Sequence, residues 1–307
     1  YFRNSGTECI VVRIADEENV RAATYKAKAR NGYIKLTAKT PGKWGNNIVI
    51  SIWKENNDFF SLTVGYKTKT ESFIHLSYNR EDSRYFESYI NKNSSLCTVS
   101  VEGIVEDMEP VFMKTFVGGN DGLSTLSAKH FIGKYKGLHD YAGIGCFESR
   151  DDISLICIPD VCWLKNEAEE DAVNKVLMEQ AERFQDRFAI LDVPQNLDCI
   201  KAGTWASKFS SPFAAAYYSF VDITDPLDCT GIRTIRIPPS GAVCGRIAAT
   251  DGEKGIYHAP ANCILDGAVG IAEKITSGEQ EILYTSKINL LKYFPGRGVK
   301  IWGAKTL

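Results

Sequence analysis

Four histidines, nine cysteines and a few Gly-x-Gly steps are where chemistry would have to begin in this 307-residue chain. His75, His130, His139 and His258 form no H-E-x-x-H, and no two stand four apart on a helix, the spacing that presents two imidazoles to one metal. Cys157 and Cys162 are the closest cysteines, with four residues between them instead of the two of a C-x-x-C, and they flank the end of an apolar run. Gly296-Arg297-Gly298 would need a third glycine at Ile301 to cradle a dinucleotide, and Gly143-Ile144-Gly145 would need one at Glu148. Neither a phosphate-binding G-x-x-x-x-G-K-[ST] nor the G-x-S-x-G of a nucleophile elbow occurs. Asp152, His258 and Ser286 are the residue types of a hydrolytic triad, but no local motif singles them out. The helix start after Pro239-Ser240 is a possible anion site, and Ser240 reads more simply as its N-cap. The expectation is a non-enzyme with no catalytic, cofactor-binding or metal-ligating residues and no cofactor.

Charge and hydropathy narrow the partners. Lysine and arginine number 36 against 38 aspartates and glutamates, a net charge of −2, so nothing draws the chain to nucleic acid or an anionic membrane. No run approaches the ~18 apolar residues of a spanning helix. Tyr1-Phe2-Arg3-Asn4 has neither the charged nor the apolar part of a signal peptide. Nine cysteines cannot all pair, and several lie in apolar runs such as Leu155-Ile156-Cys157-Ile158. That usage predicts a protein made in a reducing cytoplasm.

The elements that would position these residues fall into two kinds. Cys9-Ile10-Val11-Val12-Arg13-Ile14 predicts a β-branched opening strand, assigned with residues 1–19 to the core. From 20 to 117 the pattern is all-β. Ile48, Ile50 and Ile52 share one face of a strand, as do Phe60, Leu62 and Val64. Asn31-Gly32, Pro41-Gly42, Gly45-Asn46-Asn47 and Asn56-Asn57-Asp58 supply turns. This predicts a small β-sandwich or barrel. Gly118-Gly119-Asn120-Asp121-Gly122 is expected to open a second domain, 118–307.

Beyond it strands and helices alternate. Ser127 predicts a cap on a short helix ending near Tyr135. Ile153–Ile158 predicts a buried strand, and a helix follows from Asn166 to about Phe184 with Val173, Val176, Leu177, Ala181 and Phe184 on one face. Phe188–Val193 predicts the next strand, then a helix around Leu197–Phe209, a strand around Ala214–Ile223 and another ending at Ile237. Ser277-Gly278-Glu279-Gln280 reads as a capping box. Such alternation argues for α/β architecture with a largely parallel sheet in three layers.

One stretch is unusually dense in backbone punctuation. Pro238-Pro239-Ser240-Gly241 leads into a helix of small residues past Gly245 to Asp251-Gly252 and Gly255, and on to Ala259-Pro260-Ala261-Asn262. Prolines set its start, Gly245 permits a close backbone approach, and Gly252 and Gly255 turn the chain away. Together with Tyr1–Gly6, Pro41–Asn46, Gly118–Gly122, Ile158-Pro159-Asp160, Arg187–Pro194, Ile288-Asn289, Phe294–Gly298 and Trp302-Gly303-Ala304-Lys305-Thr306-Leu307, this block resembles the contractile tail sheath proteins of myophages, R-type pyocins and related injection systems. Ser5 and Lys305 depart from the family, which usually has glycine and arginine there.

The resemblance implies a structural subunit with a subtilisin-like three-layer α/β core and a smaller N-terminal β-domain. It implies a polymer around a tail tube that contracts to drive the tube through a target envelope. The expected partners are other sheath subunits through terminal arms, the tail tube protein, and baseplate and terminator proteins, without nucleic acid or membrane insertion. Assembly is expected in a bacterial cytoplasm, into a phage tail or phage-tail-like particle. Family members extend beyond both ends of this chain, so terminal arms and an inner C-terminal domain are expected outside it. The alternatives are a sheath-like baseplate or binding module and a hydrolase using the α/β domain.

Overall fold

The computed structural model describes residues 1–134 and 141–307. Tyr135, the expected end of the first helix after Ser127, and His139 lie outside the described residues. Two compact units divide the rest: Ala15–Leu126, and Tyr1–Ile14 with Ser127–Leu307.

Unit Ala15–Leu126 contains β1 (Thr24–Ala38), β2 (Val49–Lys54), β3 (Phe59–Tyr66), β4 (Lys69–Ser77), helix α1 (Phe86–Asn93), β5 (Cys97–Met108) and β6 (Val111–Thr115). β1 and β5 form a long antiparallel pair, and the remaining strands form a sheet in the order β4-β3-β2-β6. The period-two pattern works as read. Ile48, Ile50, Ile52, Phe60, Leu62 and Val64 are all fully buried and join residues from both sheets in one apolar core. Lys67, at positive φ, turns β3 into β4. Helix α1 corrects the all-β reading. Its Asn91 amide accepts from Val99 N–H at 2.6 Å and donates to the Val99 carbonyl at 2.9 Å, which docks the helix on β5.

The other unit contains α2 (Ala128–Ile132), β7 (Leu155–Cys157), α3 (Glu167–Phe184), β8 (Phe188–Asp192), α4 (Cys199–Ala206), β9 (Ala214–Tyr218), β10 (Val221–Thr224), β11 (Thr234–Ile237), α5 (Ser240–Lys254), β12 (Ala268–Ile271), α6 (Ser277–Thr285), β13 (Ile288–Phe294) and β14 (Gly298–Trp302). β14-β13-β9-β8-β7 make a five-stranded sheet in which only β14 runs antiparallel. β11-β10-β12 form a separate antiparallel sheet. Ile190, Ala215, Tyr217 and Leu291 of the large sheet pack with Val243 and Cys244 of α5. α3 starts as predicted, with Asn166 accepting from Ala168 N–H at 3.0 Å.

Several expectations change. Cys9–Ile14 forms no strand: side chains alternate between exposed and half-buried, but the segment has no ladder partner among the described residues, and a β-strand exists only by pairing. The stretch Ala214–Ile223 splits at Ser219-Phe220 into β9 and β10, which serve different sheets. The capping box sits one residue earlier than read. Thr276 N–H and hydroxyl both reach Glu279 Oε2, at 2.8 and 2.7 Å, and Ser277 is already helical.

Candidate functional site

The punctuated block from Pro238 to Asn262 is built around α5. Pro238, Pro239 and Ser240 are buried. The prolines set φ and bring no N–H of their own, so Ser240 supplies the first helical donor. That N–H goes to Asp192 Oδ1 at 2.8 Å. The helix is therefore capped by a carboxyl from the end of β8, which corrects the reading of Ser240 as the side-chain cap. It also fills the position where an anion would have sat. Burial pushes the Asp192 carboxyl up to about 7, against the pull of the Ser240 N–H.

Gly241 faces open space, whereas Gly245 does not. A Cβ on Gly245 would overlap the Tyr1 carbonyl and lie 2.9 Å from Asn4 Cβ. Asn4 is buried beside it and grips the backbone of Asp266, donating to its carbonyl at 3.0 Å and accepting from its N–H at 2.8 Å. The glycine thus admits the N-terminal turn, Phe2–Asn4, onto α5. Asp251 lies in the last turns of α5, where burial raises its carboxyl. Gly252 is helical and turns nothing, which corrects its expected role; Gly255, at φ 94°, ends the helix. Ala259 is exposed and Pro260 buried. Asn262 takes a positive φ of 62°, and its N–H donates to the Ile301 carbonyl at 2.7 Å, tying the block to β14.

The closing residues are clamped from one side chain. Asn289 accepts from Lys305 N–H at 2.8 Å and donates to the Lys305 carbonyl at 2.8 Å and the Ala216 carbonyl at 3.3 Å. Gly303 lies against it, with a Cβ there 2.9 Å from Asn289 Cα, while Trp302 packs on Phe294 with ring centroids 5.2 Å apart. Two further motifs interlock in the Ala15–Leu126 unit. Asn46 exchanges two hydrogen bonds with the Gly119 backbone, at 2.8 and 3.0 Å, and Lys43 N–H donates to Asp121 at 2.7 Å. Sequence reading also missed Arg187 as an organiser. Its fully buried guanidinium donates to the Phe147 and Arg150 carbonyls at 2.9 and 2.7 Å and to both oxygens of Asp186.

The residues that might have done chemistry are spent locally. Arg150 pairs with Asp152, and Ser286 Oγ donates to the Ile282 carbonyl at 3.0 Å. His258 is exposed beside Tyr257. His130 accepts from Ser127 N–H at 3.1 Å at the start of α2, and exposed His75 pairs with Glu55. Burial and the nearby Asp192, Asp160 and Glu170 carboxylates push the Cys162 thiol up to about 12, the reverse of what a reactive thiol needs. Among the described residues no group of three His, Cys, Asp or Glu is placed to hold a metal ion, and no helix is long and apolar enough to cross a membrane.

The site is one of packing and backbone clamping, in a mixed α/β protein with several sheets. The family described as phage tail sheath protein central domain matches residues 145–307, more than half of the chain, and the chain belongs to that family. In fold it is similar to the sheath tail protein of Listeria innocua (TM-score 0.58, 12% identity, 92% of this chain and 55% of that one). The sheath tail protein of Desulfitobacterium hafniense compares equally (0.57, 12%, 92% and 56%). The contracted helical sheath of the anti-feeding prophage aligns at 28% identity over 52% of this chain and 41% of that one, with a TM-score of 0.41. The chain thus spans about half the length of these sheath proteins. No curated protein sequence matches it.

Proposed function

We propose that this chain is the body of a sheath subunit that polymerises around a tail tube and contracts to drive the tube through a target envelope. The observation that carries the reading is the family match over residues 145–307, which includes the whole Pro238–Asn262 block. The clamps suit that role. Asn4 to Asp266, Asp192 to Ser240 and Asn289 to Lys305 each fasten a segment distant in sequence onto the unit that carries α5. A body fastened in this way moves as one piece when a lattice rearranges, and the free energy of the stroke resides in contacts between subunits.

In this reading the five-stranded sheet and its helices are the subtilisin-like three-layer core, residues 118–307 with an opening segment from 1–19, and residues 20–117 are a β-sandwich. The shared fold carries no activity with it. Its structural signature is Pro238, Pro239, Ser240, Gly241, Gly245, Asp251, Gly255, Ala259, Pro260, Asn262, Trp302 and Gly303. Sheath subunits, linked by terminal arms, are its first partners, and tube, baseplate and terminator proteins complete the particle, which assembles in the bacterial cytoplasm. Heterologous contacts between such subunits generate an open helix.

The test is to express the gene encoding this chain together with a tail tube protein and view the product by negative-stain microscopy. Striated sheaths around tubes are expected. A product that stays monomeric with the tube protein, at every concentration and salt, overturns the reading and favours a binding module.

A further inference from the structure

The three-stranded sheet β11-β10-β12 has two unlike ends. At one end, where β9 gives way to β10 past Tyr218 and β12 runs on into Glu273, lies a cavity of about 310 Å³. Leu197, Tyr218, Ile275 and Leu283 give it apolar walls, and Asp198, Glu273 and Glu279 set three carboxylates against the one ammonium of Lys274. At the other end is the loop from β10 to β11, residues 225–233. Its polar groups are spent on itself. The Asp228 carboxylate accepts from the N–H groups of Thr230, Ile232 and Arg233 at 3.0, 3.1 and 2.8 Å, and buried Asp225 accepts from Leu227 N–H at 2.9 Å. What the loop presents outward is apolar: Leu227 is 92% and Ile232 84% exposed. Val221 pairs with Ile237 and Ile271 at the cavity end, and Thr224 pairs with Thr234 at the loop end. Cavity and loop are thus separated by the length of β10, about 13 Å at the rise of an extended strand.

We propose that the 225–233 loop of one copy of this chain inserts Leu227 and Ile232 into the cavity between Leu197 and Leu283 of the next copy. The occupant is a second copy because one chain carries both halves of the contact, an apolar knob and an apolar-walled cavity, at opposite ends of one sheet. Charge agrees with the fit. The loop's carboxylates are turned inward, and its outward charge is the Arg233 guanidinium, whose side chain is 72% exposed; it meets a cavity with a surplus of carboxylates. A loop already held by its own hydrogen bonds loses little freedom on docking, which favours binding. The knob points away from the cavity of its own sheet, so the contact runs head to tail. A heterologous contact of this kind leaves one knob and one cavity free at the two ends of every assembly, and it propagates into an open filament. Its place in a sheath rests on the sheath reading; the contact between copies does not.

The chain carries its own probes, since Cys229 is exposed in the loop and Cys199 lines the cavity. Unlabelled and heavy-isotope-labelled protein are mixed, both in concentrated solution and co-assembled with a tail tube protein. The mixture is oxidised with air and copper–phenanthroline, and linked peptides are mapped by mass spectrometry without reduction. Cys199–Cys229 pairs of mixed isotope are expected, with a ladder of dimers, trimers and longer species on a non-reducing gel. Leu227→Asp and Ile232→Asp should each lower the yield of that pair roughly tenfold, the loss of one apolar anchor. Their melting temperatures should match the wild type, because both side chains are exposed in the single copy. The proposal is overturned if Cys229 links only to Cys229 or Cys9 of another copy, if no Cys199–Cys229 pair forms in either preparation, or if the pair survives both substitutions. Microscopy reads sheath formation separately, so sheaths without the cross-link sink this contact alone, and the cross-link without sheaths sinks only the sheath reading.

Discussion

Gly245 has no side chain because the Tyr1 carbonyl and the Asn4 side chain occupy the space where one would stand. Gly245→Val should drive the N-terminal turn off α5 or bend the helix, at a cost of roughly 1–3 kcal/mol. Thermal unfolding would show the lowered midpoint, and an unchanged one would mean the turn relocates freely. Asn289 is the reverse case, a side chain that does the work of backbone. Asn289→Ala leaves the buried Ala216 carbonyl and both Lys305 backbone groups without it, a loss of about 2–4 kcal/mol at 1–3 kcal/mol per stranded group with partial relief by water. Urea unfolding measures it, and Asn289→Asp, which keeps the acceptor to Lys305 N–H, should recover part of the stability. Both residues stand in motifs that the sequence singles out. Sequence reading identified the close approach at Gly245 but not its partner, because Tyr1 and Asn4 lie more than two hundred residues away.

Helix α5 carries the pH dependence. The folded Asp192 carboxyl holds its proton up to about pH 7, against an ordinary value of 3.8. Proton binding therefore favours the folded state. The stabilisation is complete below the ordinary value and is lost as pH rises toward 7. Asp192→Asn keeps an acceptor for Ser240 N–H and cannot ionise, so the difference in stability, variant minus wild type, should increase from pH 4 to pH 7 and then level off. Denaturant unfolding at a series of pH values checks it; a difference independent of pH would count against burial as the cause. Glu170, raised to about 7 chiefly by burial, contributes with the same sign but cancels in this comparison. At this scale the sequence was legible where a local signal suffices. Asn166 and the apolar stripe of α3 announced that helix, and β3 alternates as written. The signal failed at Cys9–Ile14, where β-branched residues promise a strand but pairing decides, and at Ser277, where Thr276 wins the cap because its extended backbone aims the hydroxyl at Glu279 N–H.

Each unit holds its own apolar interior. The cluster around Ile48, Ile50, Phe60 and Leu62 draws on residues 22–111 and Phe116 alone. Residues 15–126 expressed by themselves should therefore fold, with a cooperative thermal transition and dispersed amide resonances, since a domain with its own core folds independently. A molten product would show that the unit needs the rest of the chain. Period-two and helical spacing, and the motifs from Tyr1 to Leu307, were determined by the sequence itself: they made the α/β character, the central core residues and the sheath family readable without coordinates. What only the tertiary structure decided is which distant groups meet. The parting of β9 from β10 sends neighbouring strands to separate sheets, while the carboxyl of Asp192 at the head of α5 and the grip of Asn4 on Asp266 join residues tens to hundreds of positions apart. Periodicity reports which face of an element is apolar; it carries no record of which other face will cover it, and that is chosen only when the whole core closes.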